Sequence, residues 1–188
     1  FEMFETIHKD GVPTRCVDYT VSFEGPGRYF ASEAQAASEQ GIPLYTMSNT
    51  AGLTWDIGVI PFEPVPFQWN RRFEALIRAQ DDWGLKGLME SHHYGWWPSV
   101  ISELAKWAFW KPRQNLDKMI RRIARRDYGE EAAPMVVQAW QHWSDAIRDY
   151  VPTNEDQYGP FRVGPSYPLV FLDHDVTFPS ADYAHFGN

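Results

Sequence analysis

Apolar and polar residues change their spacing several times along the first half of the chain, and this pattern predicts strands separated by helices. A strand is predicted over 17–23, where β-branched and aromatic residues alternate with polar ones. A helix is predicted over 30–40, a strand over 42–48, a helix over 67–83 and a strand over 85–89. Because the connections are short, this order favours βαβ units and a parallel sheet.

Residues 1–16 are predicted to contain the tail of a helix that leads into the strand at 17–23. The prediction rests on apolar residues at helical spacing and on the Gly-Val-Pro sequence after them, which ends a helix. The apolar residues are Phe1, Met3, Phe4 and Ile7.

The second half of the chain is predicted to be helical as far as residue 150. Helices are expected over 100–110, 114–127 and 130–150, and Gly129 is expected to separate the last two. Their apolar faces are predicted to point inward, and Trp140 and Trp143 are assigned to the core. The other inward residues are Ile101, Leu104, Ala108, Leu116, Met119, Ile120, Ile123, Val136 and Ile147.

The net charge of −8 argues against a general nucleic-acid-binding protein, whose surface should be basic. A basic face on the helix at 114–127 is therefore interpreted as a solvated surface. No apolar run approaches the ~20 residues of a membrane span, so no membrane association is expected. The basic face consists of Lys118, Arg121, Arg122, Arg125 and Arg126.

Aromatic side chains make up 16% of the 188 residues and include nine tryptophans. This enrichment fits a site that stacks on sugar rings, although a tryptophan-rich helical core would also account for it. The single cysteine, Cys16, excludes an internal disulfide and leaves the cellular compartment undetermined. The chain opens with Phe1 rather than Met, which suggests a piece of a longer protein.

The first candidate site follows the strand at 85–89, because ligands bind at the carboxyl ends of parallel strands. Carboxylates accept hydrogen bonds from hydroxyl groups and indole faces cover apolar C–H patches, so the residues there suit a polyhydroxylated ligand. A core role for the tryptophans and an ion pair for the glutamate would be the simpler explanation. The candidates are Glu90, His92, His93, Tyr94, Trp96 and Trp97.

Two further candidate regions lie at predicted strand ends. Glu24 follows the strand at 17–23 and precedes a Gly-Pro-Gly turn, which lacks the spacing of a phosphate-binding loop. Trp55 and Asp56 lie in the long connection after the strand at 42–48, and long loops of this kind are often functional. Asp56 could equally cap a turn while Trp55 covers the sheet edge.

The sequence contains no recognisable metal-binding or nucleophile motif. His92 and His93 are adjacent rather than four residues apart, and there is no cysteine pair. There is also no Gly-x-Ser-x-Gly sequence. We therefore expect neither a metal nor another cofactor.

The segment from Gly84 to Pro112 resembles the end of the catalytic barrel in glycoside hydrolase family 20 and its relatives. The resemblance is carried by Met89-Glu90, Pro98, the Glu-Leu-Ala sequence from Glu103, and Trp107 or Trp110. Ser99 stands where the family has arginine, and Leu-Ala-Lys replaces Leu-Ala-Glu. Strand order extends the resemblance back to residue 17.

The resemblance implies the C-terminal part of a (β/α)8 (TIM) barrel followed by a helical extension and an irregular tail. Residues 1–112 would supply the last βα units of the barrel, 113–150 the helical extension, and 151–188 an irregular wrapping tail. Glu90 would hold sugar hydroxyls. The family's catalytic glutamate follows an aspartate, and no Asp-Glu dipeptide occurs in this chain.

The resemblance therefore implies part of a glycoside hydrolase that forms half of a sugar pocket, with the catalytic pair in a missing N-terminal half. If the pair were local, Glu24 and Glu90 would be the acid/base and the nucleophile, and their separation would decide between retaining and inverting chemistry. The alternatives are a noncatalytic carbohydrate-binding or scaffold domain and a metal-dependent barrel hydrolase. The sugar, its linkage and the oligomeric state are not determined.

Overall fold

The computed structural model describes residues 1, 5–9, 11–15, 20–48, 64–89 and 98–150. These residues form a mixed α/β protein that is rich in helix and contains two small sheets. No helix among them is both long and apolar enough to cross a membrane. The strands are β1 (Thr6–Lys9), β2 (Val12–Arg15), β3 (Leu44–Met47) and β4 (Leu85–Met89). The helices are α1 (Arg28–Glu39), α2 (Pro66–Trp83), α3 (Val100–Ala108) and α4 (Leu116–Asp149).

The β3–α2–β4 unit is the βαβ arrangement that the sequence predicts. β3 and β4 pair in parallel, and their register runs from Leu44 opposite Leu85 to Met47 opposite Met89, with an irregularity after Leu44. α2 packs against β4 and buries Leu85. The parallel pair and the helix between its strands confirm the predicted α/β class.

The predicted helix tail within residues 1–16 is wrong, because the described residues there form an antiparallel hairpin. β1 and β2 pair from Thr6 opposite Arg15 to Lys9 opposite Val12, and Gly11 lies in the loop between them. Gly11 in this loop has a φ of 78°. An Asp-Gly pair between short runs rich in β-branched residues is a strong hairpin signal, and it outweighs the helical spacing of a few apolar residues.

The strand predicted over 17–23 is not formed in its described part. Residues 20–23 belong to no strand, and residues 17–19 lie outside the described residues. Thr20 and Ser22 instead bond to each other through their side-chain oxygens, 2.9 Å apart, and the Ser22 amide donates to Thr20 Oγ1. Short hydroxyl side chains often bond locally in this way and compete with strand pairing.

The helix boundaries agree closely with the sequence pattern. α2 begins with Pro66 in its first turn and ends at Gly84, whose φ of 72° is left-handed. Ser99 caps α3 through reciprocal bonds with Ser102, in which each backbone amide donates to the other residue's hydroxyl oxygen. Proline at a helix start, a serine cap and glycine at a helix end are local signals, which explains why they were predictable.

A single hydrophobic core joins α2, α3 and α4. Phe73 and Leu76 of α2 are fully buried, as are Leu104 of α3 and Ile120 of α4. The predicted inward faces of α3 and of the first half of α4 are confirmed. The five basic side chains predicted to point outward on α4 are exposed.

The apolar stripe on the second half of α4 is displaced from the predicted one. Trp140 is buried as predicted, but the prediction that Trp143 is core is wrong, because 59% of it is exposed. The buried stripe instead contains Ser144, which lies fully buried beside α2 and accepts a bond of 3.2 Å from the amide of Phe67 through Oγ. A small hydroxyl residue allows the two helix backbones to approach, whereas a tryptophan would separate them.

Gly129 divides α4 as predicted. It has φ 81° and ψ 164°, a conformation available almost only to glycine, and helical residues continue on both sides. Both halves of α4 contribute to the core shared with α2 and α3. The boundary at 112/113 remains a prediction, and the predicted tail at 151–188 lies outside the described residues.

Candidate functional site

Glu24 is the one predicted site residue that lies within the described part of the chain. The structure therefore gives the framework around the candidate site and the geometry of Glu24. The other eight lie outside the described residues: Trp55, Asp56, Glu90, His92, His93, Tyr94, Trp96 and Trp97.

The carboxyl ends of β3 and β4 lie side by side. The backbone amide of Ser48, directly after β3, donates to the carbonyl oxygen of Met89, the last residue of β4, at 3.1 Å. Ser48 is fully buried at this position. Glu90 is the next residue after Met89 in the chain, so this hydrogen bond marks the edge from which the predicted site segment starts.

Arg72 of α2 ties the segment before α1 to the same edge. Its side chain is 2% exposed, and Nη1 donates to the carbonyl oxygens of Thr20 at 3.0 Å and Phe23 at 3.1 Å. Nη2 lies 3.5 Å from the carbonyl oxygen of Ser48. One buried guanidinium thus connects the backbone before Glu24 with the backbone after β3.

A second side chain of α2 supports this anchor. Gln68 is 1% exposed, and its Nε2 donates to the carbonyl oxygen of Val21 at 2.8 Å. Buried carbonyl groups outside regular structure need such partners, because water cannot reach them. Gln68 and Arg72 together donate hydrogen bonds to three backbone carbonyl groups of residues 20–23, a segment that forms no strand.

The carboxylate of Glu24 is directed at two arginines. Its Oε1 lies 3.3 Å from Nε of Arg148 on α4 and 3.8 Å from Nε of Arg71 on α2. This oxygen is buried and makes no hydrogen bond to the described residues, so the attraction is one between charges. Arg71 also donates to the carbonyl oxygen of Ser144 at 3.0 Å, which makes Glu24 part of the junction between α2 and α4.

Asp145 completes this charged junction. A hydrogen bond from Gln141, followed by the nearby positive charge of Arg71, lowers the pKa of its carboxyl group below the ordinary value. Asp145 is exposed, so the ion pair at 3.4 Å to Arg71 Nη2 is screened by solvent and adds little stability.

A separate group of polar and aromatic side chains surrounds the first turn of α3. Both terminal nitrogens of Arg126 donate to the two carboxylate oxygens of Glu103, at 2.7 and 2.8 Å. Nε of Arg126 donates to Asp127 at 2.6 Å. These hydrogen bonds lower the pKa of Asp127 and raise that of Arg126.

Two cavities adjoin this turn. The larger, about 420 Å³, is lined by Glu103, Arg126, Tyr128 and Trp140 among other residues. The smaller, about 360 Å³, is lined by Glu103, Trp107 and Trp110 among others. Both cavities also include Pro98 and Ser99, which directly follow the predicted site segment in the chain.

The comparisons with known proteins give no family assignment. No family model, no curated protein and no solved structure matches the chain. The resemblance to glycoside hydrolase family 20 therefore depends on the residues from Gly84 to Pro112 and on the predicted strand order.

Arg72 is the site residue that sequence reasoning missed, although the chain carries a signal for it. Trp69, Arg72, Phe73 and Leu76 follow the spacing of one helical face, and all four are buried. A charged residue on an otherwise apolar face usually has a specific set of partners. The sequence pattern placed Arg126 on the solvated basic face. Its bidentate hydrogen bond to Glu103 joins α4 to α3, so the periodicity of one helix does not reveal it.

Proposed function

We propose that this chain is part of a glycoside hydrolase and forms half of a sugar-binding pocket at the carboxyl ends of its strands, among them β3 and β4. In this proposal β3, α2 and β4 belong to a (β/α)8 barrel of the kind found in family 20. The remaining strands would come from a further portion of the same protein, which would also carry the catalytic pair.

The observation that supports the proposal is the hydrogen bond between Ser48 and Met89, together with the anchoring of both neighbouring segments. Parallel strands that end at one edge bring their following loops together, and ligands bind there. Arg72 holds the backbone before Glu24 at the same edge through Thr20 and Phe23. The segments that directly follow β3 and β4 and the segment that ends at Glu24, all predicted to carry site residues, are thus connected to this edge.

The roles of the candidates follow from their chemistry. Glu90 would accept hydrogen bonds from sugar hydroxyls, and Trp55, Trp96 and Trp97 would stack on the apolar faces of the ring. The other candidates, Asp56, His92, His93 and Tyr94, would complete the polar lining.

The contacts of Glu24 favour a supporting role for it. Among the described residues, its carboxylate faces the charges of Arg71 and Arg148, which join α2 to α4. This geometry favours the version of the proposal in which the catalytic acid is supplied from elsewhere. A local pair of Glu24 and Glu90 remains the alternative that the experiment below distinguishes.

A noncatalytic carbohydrate-binding domain is the second candidate function. It is favoured by the solvent-exposed aromatic residues beside α3, since Trp110 is 59% exposed. Exposed tryptophans next to polar groups are suited to binding sugars and need no acid/base residues.

Hydrolysis of a panel of nitrophenyl glycosides, including N-acetylhexosaminides, tests the proposal. The 188-residue chain and the full-length gene product should be assayed in parallel, each as wild type, Glu90→Gln and the matched control Glu74→Gln on an exposed position of α2. We expect activity in the full-length protein alone, with a raised KM for Glu90→Gln and no change for Glu74→Gln.

Two other outcomes would change the proposed function. Activity in the 188-residue chain would place the catalytic pair within it and make Glu24 and Glu90 the candidates. Absence of hydrolysis in both proteins, combined with measurable sugar binding, would support the noncatalytic domain.

A further inference from the structure

Two cavities lie at the first turn of α3 and share Pro98, Ser99 and Glu103 in their linings. We define the α3 groove by Glu103, Trp107, Trp110, Arg126, Tyr128 and Trp140. Volumes of about 420 and 360 Å³ fall within the range of roughly 300–1,000 Å³ that is typical of small-molecule sites. We propose that the α3 groove binds a neutral oligosaccharide, at a site separate from the strand-end pocket.

Aromatic side chains provide stacking surfaces in both halves of the groove. Trp107 and Trp110 have ring centroids 6.1 Å apart and planes inclined by 60°, so they form an open corner. Tyr128 and Trp140 meet edge to face at 5.9 Å. Trp110 is 59% exposed and Tyr128 is 53% exposed, so their rings are accessible to a ligand.

The ion pair between the two halves retains hydrogen-bonding capacity. Four of the five N–H groups of Arg126 donate to Glu103 and Asp127, which leaves the second N–H of Nη1 without a partner among the described residues. Each Glu103 oxygen accepts one of these bonds and has a second lone pair. Hydroxyl groups, which both donate and accept, match this arrangement.

The charges in the groove identify the class of sugar. Arg126 and Lys106 are balanced by Glu103 and Asp127, so the lining has no net charge. A sugar acid or a phosphorylated ligand would gain no net attraction there, and the chain as a whole is acidic. Because the two cavities share Ser99 and Glu103, a ligand that fills both must extend across the α3 turn, which favours an oligosaccharide over a single ring.

The inference does not depend on the proposed hydrolase function, because none of the groove residues is assigned to the strand-end pocket. Binding of cellotetraose, chitotetraose and maltotetraose to the 188-residue chain should be measured by calorimetry and by tryptophan fluorescence. The variants are Trp110→Ala and Trp143→Ala. Trp143 is a matched control because it is also 59% exposed but does not line the groove.

We expect at least one tetrasaccharide to bind and its affinity to fall at least about tenfold in Trp110→Ala, since the stacking surface and its apolar burial are lost. Trp143→Ala should leave the affinity unchanged. The Glu90→Gln variant should bind the tetrasaccharide with wild-type affinity. In the proposed hydrolase the same variant has a raised KM for the glycoside, so the two proposals can fail separately.

Three results would overturn the inference. The first is the absence of binding of all three tetrasaccharides to the wild-type chain at millimolar concentration. The second is an equal loss of affinity in both tryptophan variants when their unfolding curves match that of the wild type. The third is loss of binding in Glu90→Gln with retention in Trp110→Ala, which would assign the binding to the strand-end pocket.

Discussion

At the scale of single residues, the central side chain is the guanidinium of Arg72. It lies on the buried face of α2 between aromatic neighbours, with its carbon Cζ 5.4 Å from the ring centroid of Trp69. Its N–H groups satisfy carbonyl groups of Thr20 and Phe23 that belong to no regular element. Burying a cation is costly unless such bonds are made, and the bonds in turn hold an irregular segment in place.

Replacement of Arg72 by methionine tests this role. Methionine keeps much of the apolar volume but leaves the Thr20 and Phe23 carbonyls without this donor, so we expect a loss of roughly 2–4 kcal/mol in the free energy of unfolding. Urea unfolding followed by circular dichroism measures it. Arg78→Met, at an exposed position on the same helix, should change stability by less than about 0.5 kcal/mol. Similar values for the two variants would show that Arg72 does not anchor the segment.

At the scale of secondary-structure elements, α4 shows how one residue divides a helix. Gly129 has a positive φ, and apart from its chain neighbours and the adjoining backbone of α4, no atom of the described residues lies within 4 Å of the position where a Cβ would stand. The requirement for glycine is therefore conformational rather than steric. The interruption places Arg126 and Tyr128 at the end of one helical half and Trp140 in the other, and both halves line the larger cavity.

Replacement of Gly129 by alanine should therefore destabilise the protein without creating a clash. We expect a loss of about 1–3 kcal/mol in the free energy of unfolding, since alanine is strained at this backbone conformation. Gln138→Ala, an exposed position in the second half of α4, should have an effect below about 0.5 kcal/mol. An unchanged or increased melting temperature for Gly129→Ala would mean that the helix runs through residue 129 in solution.

At the scale of the whole molecule, α4 is part of the same core as the βαβ unit. Ile120 of its first half is fully buried against the cluster that includes Phe73 and Leu76 of α2. The second half is tied to α2 by the bond from the Phe67 amide to Ser144 and by Arg71. A perturbation in α4 should consequently be transmitted to α2.

Ile120→Ala tests this coupling. We expect a loss of about 2–5 kcal/mol from the cavity that the substitution leaves, and an equal loss of hydrogen-exchange protection at the most protected amides of α2. Met135→Ala, at a side chain that is 67% exposed, should change neither quantity by more than about 0.5 kcal/mol. Protection of α2 that stays at the wild-type level in Ile120→Ala would identify 113–150 as an independently stable extension.

The sequence by itself determined the elements whose signals are local. Pro66, Gly84, Ser99 and Gly129 mark helix ends because each acts on the backbone of its own turn, and the apolar spacing of α3 identified its buried face. The N-terminal hairpin also carried a local signal at residues 10–11, which the helical spacing of a few apolar residues obscured.

Only the tertiary structure decided the contacts between residues distant in the chain. The carbonyl groups of Thr20, Phe23 and Ser48 that Arg72 contacts lie 24 to 52 positions away, the arginines beside Glu24 lie on two helices, and Arg126 meets Glu103 across 23 positions. Trp143 and Ser144 are neighbours in sequence, yet the approach of α2 buries the serine and leaves the tryptophan exposed. Periodicity defines a helix face, but which side chains fit beneath a neighbouring helix depends on packing between the two.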